Sequence, residues 1–194
     1  YEIMSSDLEF RRVLFRSLLG FVPAGLATLL LLVTPIPDVL IGRDGRHVGI
    51  TIDLPDGNRR LLSLRDTRSS YSRDNLLELA SVTADPIPLV QWPGARCSRA
   101  FCFLRIERGG RTWTLLMARN RHMIEERRLA AACARADIVV ADRFLPRSCR
   151  PRWLKADRKM LLRTGGLSID LRRGEITSVA ESQGEHGWWR GERD

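Results

Sequence analysis

The stretch from residue 38 to 52 reads Asp-Val-Leu-Ile-Gly-Arg-Asp-Gly-Arg-His-Val-Gly-Ile-Thr-Ile and decides the fold class. Two runs of aliphatic residues flank the Asp-Gly pair at 44–45, a pair favoured in tight hairpin turns because such turns need positive φ. The same turn residues recur at 56–58, before the apolar run at 61–64. The pattern therefore predicts a three-stranded antiparallel meander.

Further hairpins and helices are predicted downstream. Turn residues between apolar runs indicate hairpins, and apolar residues three or four positions apart indicate helices. The third helix is predicted to begin at Pro151 and to end at Gly165, because proline favours the first helical position and glycine the position after the last. The predicted segments are hairpins over 101–117 and 167–179, a short buried strand over 137–141, and helices over 72–80, 122–136 and 151–165.

An uncharged apolar segment precedes this domain. No charged residue lies between Ser17 and Pro37, and about 20 helical residues span a bilayer core of roughly 30 Å. We predict a transmembrane helix over residues 18–35, the last of a truncated polytopic domain. A signal peptide and a buried core helix are the alternatives. No small-x-small cleavage site precedes Asp38, and the glycines and proline inside the run are poor choices for a core helix.

The amino-terminal residues differ from the rest. Residues 5–17, Ser-Ser-Asp-Leu-Glu-Phe-Arg-Arg-Val-Leu-Phe-Arg-Ser, resemble a translated sequencing adapter, and we interpret residues 1–17 as an artefact. The expected fold class is α+β (mixed α/β), with one transmembrane helix followed by a single soluble domain of β-hairpins and two to three helices. The expected order is artefact (1–17), transmembrane helix (18–35), soluble α+β domain (38–180) and loose tail (181–194).

Basic residues outnumber acidic ones by 32 to 23, which gives a formal net charge of +9. Such a surface attracts polyanions, among them nucleic acid and acidic lipid head groups. The alternative is that the arginine content reflects only the base composition of the gene.

One segment, 143–163, concentrates this charge. On a helix that begins at Pro151, four of its basic residues would share one face, and a rigid row of cations suits contact with a phosphate backbone. A solvated amphipathic face is the alternative. The candidate DNA-binding residues are Arg147, Arg150, Arg152, Lys155, Arg158, Lys159 and Arg163.

The four cysteines match no common zinc pattern. Beside a membrane helix they fit two disulfides in an oxidising compartment, with Cys97–Cys102 and Cys133–Cys149 as the natural local pairings. Free buried thiols and a metal site are the alternatives. The sequence contains no His-x-His, Gly-x-Ser-x-Gly or phosphate-loop motif. We therefore predict no catalytic residue, no metal and no cofactor, and lean against an enzyme.

Segment 146–158 reads Pro-Arg-Ser-Cys-Arg-Pro-Arg-Trp-Leu-Lys-Ala-Asp-Arg and is the most distinctive part of the sequence. It resembles the carboxy-terminal part of ComEC-type competence proteins, and the resemblance covers nearly everything from Leu18 onward. It implies a polytopic channel of the bacterial inner membrane that passes single-stranded DNA during natural transformation. The implied partners are single-stranded DNA, the lipid bilayer and other competence-machinery proteins. The other similar segments are 38–48, 92–98, 101–102, 136–140 and 164–167.

Many members of that family end in a metallo-β-lactamase-like domain with a His-x-His-x-Asp-His metal cluster, which this sequence lacks. The resemblance therefore implies a terminal domain that is either a degenerate relative of that hydrolase or something else. We expect it to assist DNA handling beside the pore. A metal-dependent nuclease remnant and a non-catalytic bracing domain are the alternatives. The expected disulfides favour the periplasmic side of the membrane.

Overall fold

A computed structural model describes residues 21–65 and 69–183 of the chain. The chain divides into two compact units, Tyr1–Pro35 and Ile36–Asp194. In the first unit, helix α1 (Phe21–Val33) has 13 residues and no buried side chain. Within the described ranges, no helix has both the length and the apolar character needed to cross a membrane. The predicted span over 18–35 begins at residues outside those ranges, so it stays a prediction.

The second unit contains two β-sheets and four further α-helices among its described residues. The helices are α2 (Ser70–Leu79), α3 (Glu126–Ala134), α4 (Arg158–Thr164) and α5 (Val179–Gln183), and a 3-10 helix covers Leu89–Gln91. The strands are β1 (Val39–Gly42), β2 (Val48–Asp53), β3 (Arg59–Ser63), β4 (Ile87–Pro88), β5 (Ala95–Cys97), β6 (Phe101–Arg108), β7 (Arg111–Ala118), β8 (Ile138–Val140), β9 (Leu154–Ala156), β10 (Gly166–Asp170) and β11 (Glu175–Ser178).

The two sheets differ in strand direction. The first has the order β11-β10-β1-β2-β3-β4, and its neighbours are antiparallel except for the parallel pair β3–β4. The second has the order β5-β6-β7-β8-β9, in which β7, β8 and β9 run parallel. Parallel strands end at the same edge of a sheet, so the residues that follow β7, β8 and β9 are brought together.

The main core lies between the sheets, because alternate residues of each strand point to opposite faces. In the first sheet Val39 and Ile41 point inward, and in the second Ile138 and Val140 do so. The remaining faces are covered by helices. Leu40 packs with residues of α2 and of the segment after it, while Val139 packs with residues of α3. The second unit is therefore layered as helix, sheet, sheet, helix.

Most of the predicted hairpins and helices are confirmed, but the described part of the second unit has four α-helices and not two to three, since a short helix also follows β11. The meander is β1–β2–β3, the later hairpins are β6–β7 and β10–β11, and the buried strand is β8. The helices predicted over 72–80 and 122–136 are α2 and α3. Helix α5 extends to Gln183, beyond the predicted domain boundary at 180. Residues 1–17 and most of the predicted tail, 184–194, lie outside the described residues.

The helix predicted over 151–165 is wrong in its first half. Leu154–Ala156 forms β9, whose residues pair in parallel with β8, and Leu154 and Ala156 are buried between the sheets. Helix α4 begins only after Asp157, whose side chain accepts a hydrogen bond from the Met160 N–H and caps the first turn. The predicted end at Gly165 is right, because this glycine adopts φ 73° and closes the helix.

The edge of the domain where β1 and β8 begin is held by well-matched ion pairs. Asp38 accepts from Arg108 Nε at 2.7 Å and from the Leu171 N–H at 2.9 Å, which joins the two sheets. Asp137 accepts from the Thr114 N–H at 2.8 Å and from Arg111 at 3.3 Å. Each of these two buried carboxylates therefore has direct hydrogen-bond donors within the protein. The role of this edge is to stabilise the fold.

At the opposite edge, the β1–β2 turn packs against the segment after β8. Gly45 has φ 66°, and a Cβ atom there would lie 2.7 Å from the Ala141 carbonyl oxygen and 3.0 Å from a Leu161 methyl group. The two sheets approach each other this closely only because residue 45 has no side chain.

Replacing Gly45 with alanine should lower the free energy of unfolding by about 2 kcal/mol, from left-handed strain plus the clash. The matched control is Gly57→Ala, because Gly57 has φ 81° but no atom within 4 Å of its added Cβ. The unfolding free energy of this control should fall by only about 1 kcal/mol, from left-handed strain without a clash. Urea unfolding measures both variants. Equal losses would contradict the close packing at Gly45.

Candidate anion-binding cleft

A cleft of about 370 Å³ opens at this second edge. One wall is the β1–β2 turn, and the other consists of residues that follow β7 and β8, with two residues of α4, the helix that follows β9. The carboxyl ends of parallel strands are where sheets of this kind usually bind ligands. We call it the Asp142 cleft. Its lining residues are Arg43, Asp44, Arg46, Arg121, Asp142, Arg158 and Leu162.

Asp142 is the centre of the cleft's charge distribution, although its side chain is only 1% exposed. Its Oδ2 lies 3.2 Å from Arg46 Nε, 3.2 Å from Arg65 Nη2 and 3.9 Å from Arg121 Nε. Arg65 Nη2 also donates to the Ala118 carbonyl at 3.0 Å. One carboxylate oxygen thus orients three guanidinium groups from three separate segments, and each guanidinium has five N–H donors.

The hydrogen bonding of this cluster is incomplete. Asp142 Oδ1 and Arg65 Nε are both buried, and within the described ranges neither has a hydrogen-bond partner. Most buried polar atoms in native proteins are paired with protein or with ordered water. The cluster therefore retains hydrogen-bonding capacity that the described residues do not use.

Asp44 shapes the other wall. Its Oδ1 accepts from the N–H groups of Arg46 at 2.9 Å and His47 at 3.2 Å, and its Oδ2 lies 2.7 Å from His47 Nδ1. Burial raises the pKa of Asp44, but these hydrogen bonds and the charge of His47 outweigh it, and the pKa is below its ordinary value of 3.8. Asp44 therefore stays ionised and holds the turn that carries Arg43 and Arg46.

Arg143 adds positive charge beside the cleft. Its Nη1 donates to the His122 carbonyl at 2.8 Å, and its guanidinium lies 5.4 Å from the centre of the Phe101 ring. Burial and the neighbouring Arg65 lower the pKa of Arg143, against the opposing effect of Asp142. Burial is the main cause of this lowering, because removal from water disfavours the charged guanidinium.

The lining therefore carries more positive than negative charge. Four arginines and two aspartates line the cleft, an excess of two positive charges. The two aspartates can neutralise only two of the four arginines, so the lining keeps a positive charge. A small anion with several acceptor oxygens is the ligand that the arrangement suits.

The structure brings only one of the predicted DNA-binding residues, Arg158, into this cleft. The Lys155 side chain binds the protein's own backbone, because its Nζ donates to the carbonyls of Leu145 at 3.2 Å and Pro146 at 2.8 Å. Arg152 lies before β9, with Nη1 4.0 Å from Asp137 Oδ1. The predicted row on one helix face does not exist. The other four predicted residues, Arg147, Arg150, Lys159 and Arg163, are exposed at the surface.

Sequence reasoning missed Arg43, Arg46, Arg65, Arg121 and Asp142 as site residues. Arg46 and Asp142 are 96 positions apart, so no local spacing joins them. The available signal was the predicted buried strand 137–141, since a charged residue directly after such a strand often faces a ligand site.

The cysteines pair as Cys97–Cys102 and Cys133–Cys149. These are the two local pairings that the sequence favours. The first joins directly opposed residues of β5 and β6, and the second joins α3 to the basic loop between β8 and β9.

A larger groove of about 580 Å³ lies between α2 and α5. Its lining is mainly aliphatic side chains, hydroxyls and backbone, and its charged residues belong to the β1–β2 turn. Few charged side chains point into this groove, so it does not share the charge cluster of the Asp142 cleft.

In the part of the chain that the structure describes, no group of three or more His, Cys, Asp or Glu residues could hold a metal ion. Comparison of the chain with protein-family models, with curated proteins and with solved structures gives no match.

Proposed function

We propose that this chain is the carboxy-terminal part of a ComEC-type competence protein and that its domain handles single-stranded DNA beside a membrane channel. The observation that carries the proposal is the excess of arginine around Asp142. Proteins bind single-stranded nucleic acid in part through its phosphates, and the guanidinium of arginine suits phosphate well. The net charge of +9 would add attraction over a longer range.

The apolar character of α1 supports the membrane part of the proposal. All 13 residues of α1 are exposed, among them Leu31 and Leu32 at 79% each. The hydroxyls of Thr28 and Thr34 donate to the carbonyls four residues earlier, at 2.9 and 2.7 Å. A helix that is apolar all round, with its hydroxyls paired internally, suits a lipid environment. In this proposal α1 is part of a transmembrane helix over 18–35.

The two disulfides support placement of the domain on the oxidising side of the bacterial inner membrane, the periplasm. Disulfides persist in secreted and periplasmic proteins and are rare in the cytosol. The other proposed partners, the bilayer and further competence proteins, follow from the same placement.

The order of layers supports a second part of the proposal, that the domain is a degenerate metallo-β-lactamase-like domain. Two packed sheets have a helix on each outer face. In this proposal Arg121 and Arg158, which follow β7 and β9, contact DNA, and Asp142, which follows β8, holds arginines in position.

In this proposal exposed arginines of the loop between β8 and β9, outside the cleft lining, would also contact DNA. Arg147 and Arg150 lie in the loop after β8, which the Cys133–Cys149 disulfide anchors to α3. Arg152 follows in the same loop and is exposed. Lys155 has no such role in this proposal, because backbone carbonyls occupy its ammonium group.

The proposal is tested by the affinity of the full chain for a fluorescent single-stranded oligonucleotide over a range of salt concentration. The wild type should bind, and each phosphate contact contributes about 0.7 to the slope of log affinity against log salt. The triple variant Arg147→Ala, Arg150→Ala, Arg152→Ala should flatten that slope by up to about 2.

Lys155→Met is the control for this experiment, because it removes one charge without removing a proposed DNA contact. Its slope should equal that of the wild type, although its unfolding free energy should fall. Absence of salt-dependent binding by the wild type would contradict the proposal and favour a bracing domain. Cleavage of the oligonucleotide on addition of a divalent metal would favour a nuclease remnant.

A further inference from the structure

The two walls of the Asp142 cleft touch each other at one point. The β1–β2 turn touches the backbone after β8 at Gly45, where a single added carbon atom would lie 2.7 Å from the Ala141 carbonyl oxygen. Gly45 is buried, and its neighbours on both sides line the cleft. A polymer therefore has no passage between the two sheets at this point. The cleft can receive a group that enters from outside and stops there.

The donors of the cleft converge on one region. Arg46, Arg65 and Arg121 approach the same oxygen of Asp142 within 3.2 to 3.9 Å. Arg121 and Arg46 remain 61% and 46% exposed, so their other N–H groups are accessible from the cleft. Convergent donors suit a compact anion, whereas an extended backbone track needs donors spaced along a line.

The amount of charge distinguishes two kinds of phosphate. An internal phosphodiester carries one negative charge and two free oxygens. A terminal phosphomonoester carries close to two charges and three acceptor oxygens near neutral pH. The excess of two positive charges in the lining matches the monoester.

We propose that the Asp142 cleft binds the terminal phosphate of a DNA strand, with Arg46, Arg121 and Arg158 as contacting residues and Asp142 as the positioning residue. This inference rests on the proposed function, because it assumes that the domain meets DNA. Asp142 is too deeply buried to contact the phosphate itself, and it acts by holding Arg46, Arg65 and Arg121 in place. The domain would then hold a strand by its end as well as along its backbone.

The experiment compares three single-stranded oligonucleotides of one sequence, with a 5′-phosphate, a 3′-phosphate or hydroxyls at both ends, bound to the full chain. An oligonucleotide with a terminal phosphate should bind about tenfold more tightly than the hydroxyl form. Arg121→Ala/Arg158→Ala should remove this preference. The matched control, Arg127→Ala/Arg135→Ala, removes two exposed arginines in and after α3, outside the lining, and should retain it.

Equal affinity for all three oligonucleotides in the wild type would overturn the inference, while salt-dependent binding of the hydroxyl form would leave the proposed function standing. Inorganic phosphate provides a separate arm. It should abolish the terminal preference at a concentration where chloride of equal ionic strength does not. If inorganic phosphate raises the melting temperature while the oligonucleotides show no preference, the ligand is free phosphate and the strand-end proposal is overturned.

Discussion

Replacing Asp142 with alanine is expected to lower the free energy of unfolding by about 3 kcal/mol, since a buried ion pair that loses one partner leaves the other uncompensated. Arg65 is the partner most affected, because its side chain is only 22% exposed and its Nη2 lies 3.2 Å from Asp142 Oδ2. Arg46 and Arg121 can turn toward solvent. Urea unfolding should show a lower midpoint and an unchanged m-value.

The variant Asp142→Asn removes the negative charge but keeps the size of the side chain, so it separates the two effects. The amide keeps the volume of the side chain and still offers one oxygen to Arg65, so its stability loss should be smaller than that of alanine. Both variants should lose the preference for a terminal phosphate, because neither holds the guanidinium groups by charge. An alanine variant as stable as the wild type would contradict the role assigned to this carboxylate.

Removing the Cys133–Cys149 disulfide, by replacing both residues with alanine, is expected to cost about 3 kcal/mol of unfolding free energy. The bond closes a loop of 16 residues, and the chain-entropy account of disulfides gives about this value for a loop of that length. Both cysteines are buried against Leu129 and Leu145, so alanine is the least disruptive replacement.

The second disulfide is the matched control for the first. Cys97 and Cys102 are five positions apart and directly opposed on β5 and β6. Removal of the Cys97–Cys102 disulfide should lower the unfolding free energy by less, about 2 kcal/mol, because the loop it closes is shorter. Only the Cys133–Cys149 variant should also weaken DNA binding, because only that bond anchors the loop with Arg147, Arg150 and Arg152. A larger loss for the Cys97–Cys102 variant would contradict this account.

The local parts of the fold follow from the sequence because their causes are local. Asp-Gly at 44–45 needs no distant contact to favour a turn, and Gly165 ends α4 by its own left-handed conformation. The start of α4 differs. Residues 154–156 become a strand only because β8 offers them a parallel partner, and that partner is not visible in a local window. The capping side chain of Asp157 was the local signal for the true helix start.

The candidate site could be predicted less well than the fold, since its parts come from distant segments. Charge density along the chain predicts a binding site in 143–163, but a local run of basic residues does not show which of them lie close together in the fold. Arg46, Arg65 and Arg121 meet at Asp142 because the turns and strands that carry them end at one edge. Only the strand order reveals this.

The central claim is that the Asp142 cleft contacts DNA phosphate, and the salt dependence of DNA affinity in two matched variants tests it most directly. Arg121→Ala/Arg158→Ala removes two charges from the cleft, and Arg127→Ala/Arg135→Ala removes two from in and after α3. The cleft variant is expected to flatten the log–log slope by about 0.7, because both arginines contact one phosphate, while the control stays near wild type. Equal slopes in the two variants would show that the cleft does not contact DNA phosphate.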